Sequence, residues 1–121
     1  MKESILKNKS FKFAVKIVNL YKYLCKEKQE FVLSKQVLRC GTSVGAMVRE
    51  AEHSESKADF IHKLAIAQKE INETLYWLEL LSETEYITTT EFDIINTDAV
   101  EIIKMLTSSI KTAKQSLTTN H

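Results

Sequence analysis

No proline interrupts this 121-residue chain, and glycine occurs only twice, at Gly41 and Gly45. Sheet proteins of this length need tight turns, and tight turns draw on Gly and Pro for their backbone angles. The shortage directs the chain toward helices before any residue pattern is read. Hydrophobic residues at 44% and charged residues at 27% are a globular balance, neither disordered nor membrane-spanning. The length suits a single domain, 1–121, with enough interior to fold on its own.

Four stretches carry apolar residues at helical spacing. The first runs from about Ser10 to Lys28, with Phe13, Ile17, Leu20 and Leu24 on one face and Ala14, Val18, Tyr21 and Cys25 beside them. Asn8 or Ser10 can cap its start, and residues 1–8 are expected to fray. The second runs from about Phe31 or Ser34 to His53, with a stripe of Leu33, Val37, Val44, Val48 and Ala51. Gly41 and Gly45 sit inside it one turn apart, although each costs a helix about 1 kcal/mol relative to alanine. Their shared face implies that another backbone comes close; a break at Gly41 is the alternative.

The third stretch, Lys57 to Glu83, opens on Ser56 and Asp59, which resemble a capping box with Asp in place of Glu. Phe60, Leu64, Ala67, Ile71, Leu75, Leu78 and Leu81 mark one face. Ile61, Ala65, Ile66, Tyr76, Trp77 and Leu80 widen it beyond what one side of a bundle helix needs. The excess points to a subunit interface, at Ile66, Trp77 and Leu80, or to an unusually deep position for this helix. The fourth stretch follows Thr88–Thr90, where Thr88 and Glu91 have capping-box spacing. Phe92, Ile95, Ala99, Ile102, Ile103, Leu106, Ile110, Ala113 and Leu117 form its stripe, and residues 118–121 are expected to fray. Links of about four to six residues place successive helices antiparallel. The expected fold is all-α, an up-down-up-down four-helix bundle.

Residues 1–10 lack the apolar core of a secretory signal. No stretch approaches the ~18 consecutive apolar residues of a membrane span. The expected location is the cytoplasm, with no membrane partner. Cys25 and Cys40 then read as free core thiols. Charge is unevenly spread: residues 1–28 carry eight lysines against Glu3 and Glu27, and the remainder carries nine basic and fourteen acidic side chains. The basic stripe suits a polyanion. It suits equally the acidic face of a neighbouring helix or subunit, the preferred reading, because lysines on a helix are usually a solvated face.

Catalytic patterns are missing. There is no Gly-rich phosphate loop, no Gly-x-Ser-x-Gly and no Cys-x-x-Cys. Four-helix bundles hold di-iron sites through paired Glu-x-x-His motifs, and Glu50 with His53 and Asp59 with His62 come near this pattern. Both pairs fall at one end of the bundle beside a turn, whereas such a site needs inward ligands at mid-length. Neither a metal, a cofactor nor an enzymatic activity is expected. The polar residues Gln36, Arg39, Ser43, Arg49 and Glu50 of the second stretch are spaced by helical turns. Lys69, Glu70 and Glu73 of the third are likewise one turn apart. A buried Arg39 would need a carboxylate, and Glu70 or Glu73 can supply it. That structural network, of Gln36, Arg39, Ser43, Glu50, Glu70 and Glu73, is preferred over an arginine-lined phosphate surface.

The run Gln36-Val-Leu-Arg39-Cys-Gly-Thr-Ser43-Val-Gly-Ala46-Met-Val-Arg49-Glu50-Ala51 resembles the second helix of the 23S rRNA-intervening-sequence family of four-helix bundles. The run from Ser56 to Leu81, with Asp59, Phe60, Lys63, Ala67, Lys69, Glu70, Glu73, Trp77 and Leu78, resembles its third helix. Cys40 and Met47 depart from the family's usual Ser and Asn, and Met47 cannot make the hydrogen bonds of that Asn. The resemblance implies an up-down-up-down bundle that assembles as a barrel-shaped homopentamer. It also implies relatives encoded within ribosomal RNA gene insertions, and others that serve diversity-generating retroelements by binding nucleic acid and a reverse transcriptase. For most members it implies no established activity. The resulting expectation is a non-enzymatic homo-oligomeric scaffold associating with RNA or DNA through Lys12, Lys16, Lys22, Lys26, Arg39 and Arg49. A protein–protein adaptor without nucleic-acid affinity is the alternative, and a metal-binding bundle the more remote one.

Overall fold

Apolar stripes along four helices leave one efficient arrangement, in which every stripe faces a shared axis. The computed structural model, which describes the backbone of residues 2–119 and the side chains of residues 5–118, has this arrangement. Its helices are α1 (Lys2–Lys26), α2 (Leu33–Glu52), α3 (Lys57–Glu83) and α4 (Thr89–Thr119). Among the described residues, α1 and α3 each pack against α2 and α4, and the diagonal pairs do not meet. Cross-helix contacts fix the directions. Lys9 and Lys16 reach Glu101 and Asp98, Arg39 and Glu50 reach Glu73 and Lys63, and Lys57 and Gln68 reach Ser116 and Thr107. In each pair one number rises as the other falls, so neighbours are antiparallel. The core is a ladder of Phe13, Ile17, Leu24, Val37, Val44, Leu64, Ile71, Leu78, Leu81, Ile102 and Leu106.

The start of α1 differs from the expectation. The helix begins at Lys2, not near Ser10, and Leu6 is 2% exposed. Residues 5–8 therefore do not fray, because Leu6 extends the 3.6-residue stripe by two turns beyond Phe13 and finds a packed site. Ser10, offered as a cap, is a buried mid-helix residue whose hydroxyl donates to Lys7 O at 3.1 Å. At the other end α4 continues to Thr119, so residues 118 and 119 are helical. The remainder of the expected frayed tail, Asn120 and His121, lies outside the described residues, as does Met1.

The glycine pair marks a close helix contact. α2 is continuous through Gly41 and Gly45. A Cβ at Gly41 would lie 2.8 Å from both Cγ1 and Cγ2 of buried Ile17, and one at Gly45 would lie 3.3 Å from the backbone oxygen of Ser10. α1 thus presses on the very turns where α2 has no side chain.

The connections are closed by specific polar contacts. Gln29 adopts φ 53°, and its side-chain amide donates to Cys25 O and Lys26 O, the open carbonyls ending α1. The next residue, Glu30, is 8% exposed and caps α2: its carboxylate accepts from the Val32, Leu33 and Ser34 N–H groups at 3.2, 3.0 and 2.7 Å. Burial pushes the Glu30 carboxyl up, but the donors at Leu33, Ser34 and Val32 together outweigh it and hold the group below its ordinary value. Ser56 accepts from Asp59 N, while the shorter Asp59 carboxylate accepts from Glu55 N instead of completing a reciprocal box. Thr88 and Glu91 do complete one, at 2.8 and 3.1 Å.

Replacing Gly41 by Ala gains about 1 kcal/mol of helix propensity but overpacks a buried β-branched stem, a cost of about 1–3 kcal/mol. G41A is expected to lower the urea midpoint, with a net loss of about 1 kcal/mol. E30Q is expected to cost about 1 kcal/mol near neutral pH. Because the folded carboxyl is depressed, its contribution is present above the unfolded value of about 4.3 and is lost as pH falls through the lower folded value. The gap between wild type and E30Q in denaturant titrations should close on acidification over that window.

Candidate functional site

The polar residues singled out from α2 and α3 divide into two groups at the α2–α3 seam. Arg39 forms ion pairs with Glu73 and, at 3.5 Å, with Glu70, and it donates to Gln36 Oε1 at 3.3 Å. The Glu73 carboxylate also accepts from the Trp77 indole N–H at 3.1 Å. Glu50 lies outside this cluster and pairs with Lys63 at 3.1 Å. Ser43 turns inward to its own helix and donates to Arg39 O. Arg39 is not buried, contrary to the premise that it needs an interior partner; half its side chain is exposed. The long guanidinium stem carries its head over the edge of α3 to where water still reaches it. The hydrogen bond that Arg39 donates to Glu73 holds the guanidinium above its ordinary value. The Trp77 N–H first, and then Arg39, hold the Glu73 carboxyl below its own.

The lysines of α1 fall into two sets. Lys7, Lys9 and Lys16 pair with Glu52, Glu101 and Asp98, carboxylates of the helices on either side. This is the acidic-neighbour reading of the basic stripe, within one protomer. Lys16, placed among the phosphate candidates, is therefore engaged by Asp98. Lys12, Lys22 and Lys26 are exposed on the outer side of α1. Arg49 lies 5.2 Å over the ring of Phe11. Arg39 stands apart from these on the far edge of α2, so the six phosphate candidates do not form one surface.

The apolar excess of α3 is also divided. Ile61 and Trp77 pack against the core, Ile66 and Leu80 are half-buried, and Tyr76 is 58% exposed, edge-on to Trp77 with ring centres 5.1 Å apart. Exposed Phe11 and Val15 on α1, and Phe31 and Val32 in the connection to α2, were not among the sequence candidates. Phe11 and Val15 lie off the core stripe of α1, where a polar residue is the default, and Phe31 and Val32 precede the first residue of α2.

Nucleophilic and metal chemistry find little to build on. Burial, the largest influence, pushes the Cys40 thiol up, which disfavours the reactive thiolate. Glu50 is held by Lys63 and Asp59 by the turn before α3. Among the described residues no three His, Cys, Asp or Glu side chains come together in a way that could hold a metal ion. No helix among them is long and apolar enough to cross a membrane.

The pattern that defines the 23S rRNA-intervening sequence proteins matches residues 2–108. The chain belongs to that family. It is similar to a solved protein of unknown function from the S23 ribosomal protein family of Bacteroides thetaiotaomicron VPI-5482. The two are 61% identical with a TM-score of 0.91, over 92% of this chain and 99% of that one. No curated protein matches the chain. The identity shared with the solved family member is high enough for the helix packing described above to be common to both.

Trp77 is the single tryptophan, so its emission reports on Glu73 directly. On acidification the wild-type emission should change with a midpoint below the ordinary glutamate value of about 4.3. The E73Q protein should lack that transition.

Proposed function

We propose that this protein is a non-enzymatic, homo-oligomeric scaffold whose assembled form associates with RNA or DNA through phosphate contacts. The carrying observation is what one protomer leaves at its surface. Tyr76 is largely exposed, with Ile66, Trp77 and Leu80 only partly covered beside it. A row of apolar and aromatic groups on a helix is the ordinary material of a subunit contact. Five copies, as the family resemblance implies, would bury this row and repeat the outer face of α1 around the assembly. Repetition matters energetically: several weak cationic patches on one particle bind a polyanion far better than one patch alone.

Lys12, Lys22, Lys26 and Arg49 are the cations that support the phosphate contacts. Lys16 and Arg39 are satisfied within the protomer and contribute less. The pairing of Lys7, Lys9 and Lys16 with internal carboxylates favours a second reading, a protein–protein adaptor without nucleic-acid affinity. The membership of a family named for 23S rRNA-intervening sequences supports the first. Mass measurement in solution and retention on heparin separate the outcomes. The expected result is a particle several times the 13.9 kDa protomer, reduced in size by Leu80→Glu, and retained on heparin until about 0.3 M salt. A monomer overturns the scaffold; an oligomer that passes through heparin unretained favours the adaptor.

A further inference from the structure

The outer face of α1 combines cations with an exposed aromatic ring and lacks carboxylates. Between Glu3 and Glu27 the helix contains no acidic residue. Phe11, Val15 and Lys22 fall within a narrow sector of the helical wheel, and Asn8, Lys12, Asn19 and Lys26 fill its other flank. All seven are exposed. The strip from Asn8 to Lys26 is about 27 Å long. The acidic groups that border it, Glu52 on one side and Asp98 and Glu101 on the other, are each occupied by Lys7, Lys16 or Lys9. Among the described residues no ion pair engages Lys12, Lys22 or Lys26, and only Lys12 borders the cleft that holds Asp98 and Glu101. Phe11 is 53% exposed, and the Arg49 guanidinium lies over its ring.

We infer that this strip is a binding track for single-stranded nucleic acid, with Phe11 and the overlying Arg49 as a stacking platform for an unpaired base. The inference rests on the nucleic-acid reading above and narrows it. A purely phosphate-binding surface needs lysines and no exposed aromatic ring. An exposed ring between cations is the arrangement that holds single strands, since every base presents a π-face and stacking tolerates any sequence. A guanidinium plane serves the same purpose. Bases within a duplex are already stacked on one another and cannot reach a ring on a convex helix, so duplexes gain only the phosphate contacts. Asn8 and Asn19 add side-chain amides able to bond phosphate or base edges along the same track.

The test uses the whole protein with a fluorescent single-stranded oligonucleotide of mixed sequence and the corresponding duplex, each titrated at several salt concentrations. The wild type should prefer the single strand. F11A should weaken single-strand binding about tenfold, leave duplex binding unchanged, and keep the salt dependence as it was, because no phosphate contact is lost. F11Y should restore the affinity. K22A should weaken both ligands and lower the salt slope on the single strand by about 0.7. Equal loss on both ligands in F11A, or preference for the duplex, overturns the stacking track alone. No binding to either ligand overturns the nucleic-acid reading together with it. F11A that dissociates the oligomer while single-strand affinity stays at the wild-type value assigns the strip to a protein contact and also overturns the track. Phe11 lies outside the core, so circular dichroism should report the same helix content in all three variants.

Discussion

The close approach of α1 to the two glycines of α2 is the constraint on which the rest of the structure depends. Ile17 fills the space over Gly41, and the backbone of Ser10 lies against Gly45. Interiors are packed to crystal density, so such a contact fixes both separation and register. With α1 seated there, its far edge reaches α4, and Lys9 and Lys16 meet Glu101 and Asp98. The same seating turns Phe11 toward Arg49 and leaves Lys12, Lys22 and Lys26 on the outside. A wider separation between α1 and α2 would uncouple all of these.

Charge in this protein is organised by helix edge more than by net value. The two seams of α1 each join a basic edge to an acidic one, to α4 at Asp98 and Glu101 and to α2 at Glu52, whereas the α2–α3 seam is mixed, with Arg39 on Glu73 and Lys63 on Glu50. Solvent-exposed pairs of this kind contribute little to stability one by one. Their larger effect is on what remains available to partners. By occupying the carboxylates along both borders of α1, they turn a helix of mixed surroundings into an outwardly cationic one. A net charge of +1 conceals this, because it averages a basic strip with an acidic body.

Much of the fold was legible in the sequence. α3 lies where its Ser56 cap and apolar spacing put it, and the Gly41/Gly45 pair correctly announced a close neighbour. The start of α1 was misjudged because Ile5 and Leu6 are the only apolar residues from Lys2 to Ser10, and two adjacent positions show no period by themselves. The cap on α2 was also invisible. Glu30 acts from outside the helix and is buried by tertiary packing, whereas sequence signatures of capping look for a side chain at the first helical residues. At the candidate site, the partners of Arg39 followed from turn-spaced carboxylates on the adjacent helix. Its exposure did not, since the depth of a long side chain depends on the spacing between two helices. Phe11 and Val15 escaped because an apolar residue off the stripe carries no signal of its own; it acquires meaning only when the surface around it is known.

The ring-like contact pattern has a consequence for how the chain reaches its native state. Three of the four seams join helices that follow one another in sequence, across the short connections 27–32, 53–56 and 84–88. Such seams form through local chain closure, and topologies dominated by them have low contact order and fold rapidly. Only the α1–α4 seam unites distant segments. It must close over the whole intervening chain, so its loop-closure entropy is the largest of the four. Docking of the first helix against the last is therefore the entropically most demanding step, reached most cheaply once the hairpins between them have formed.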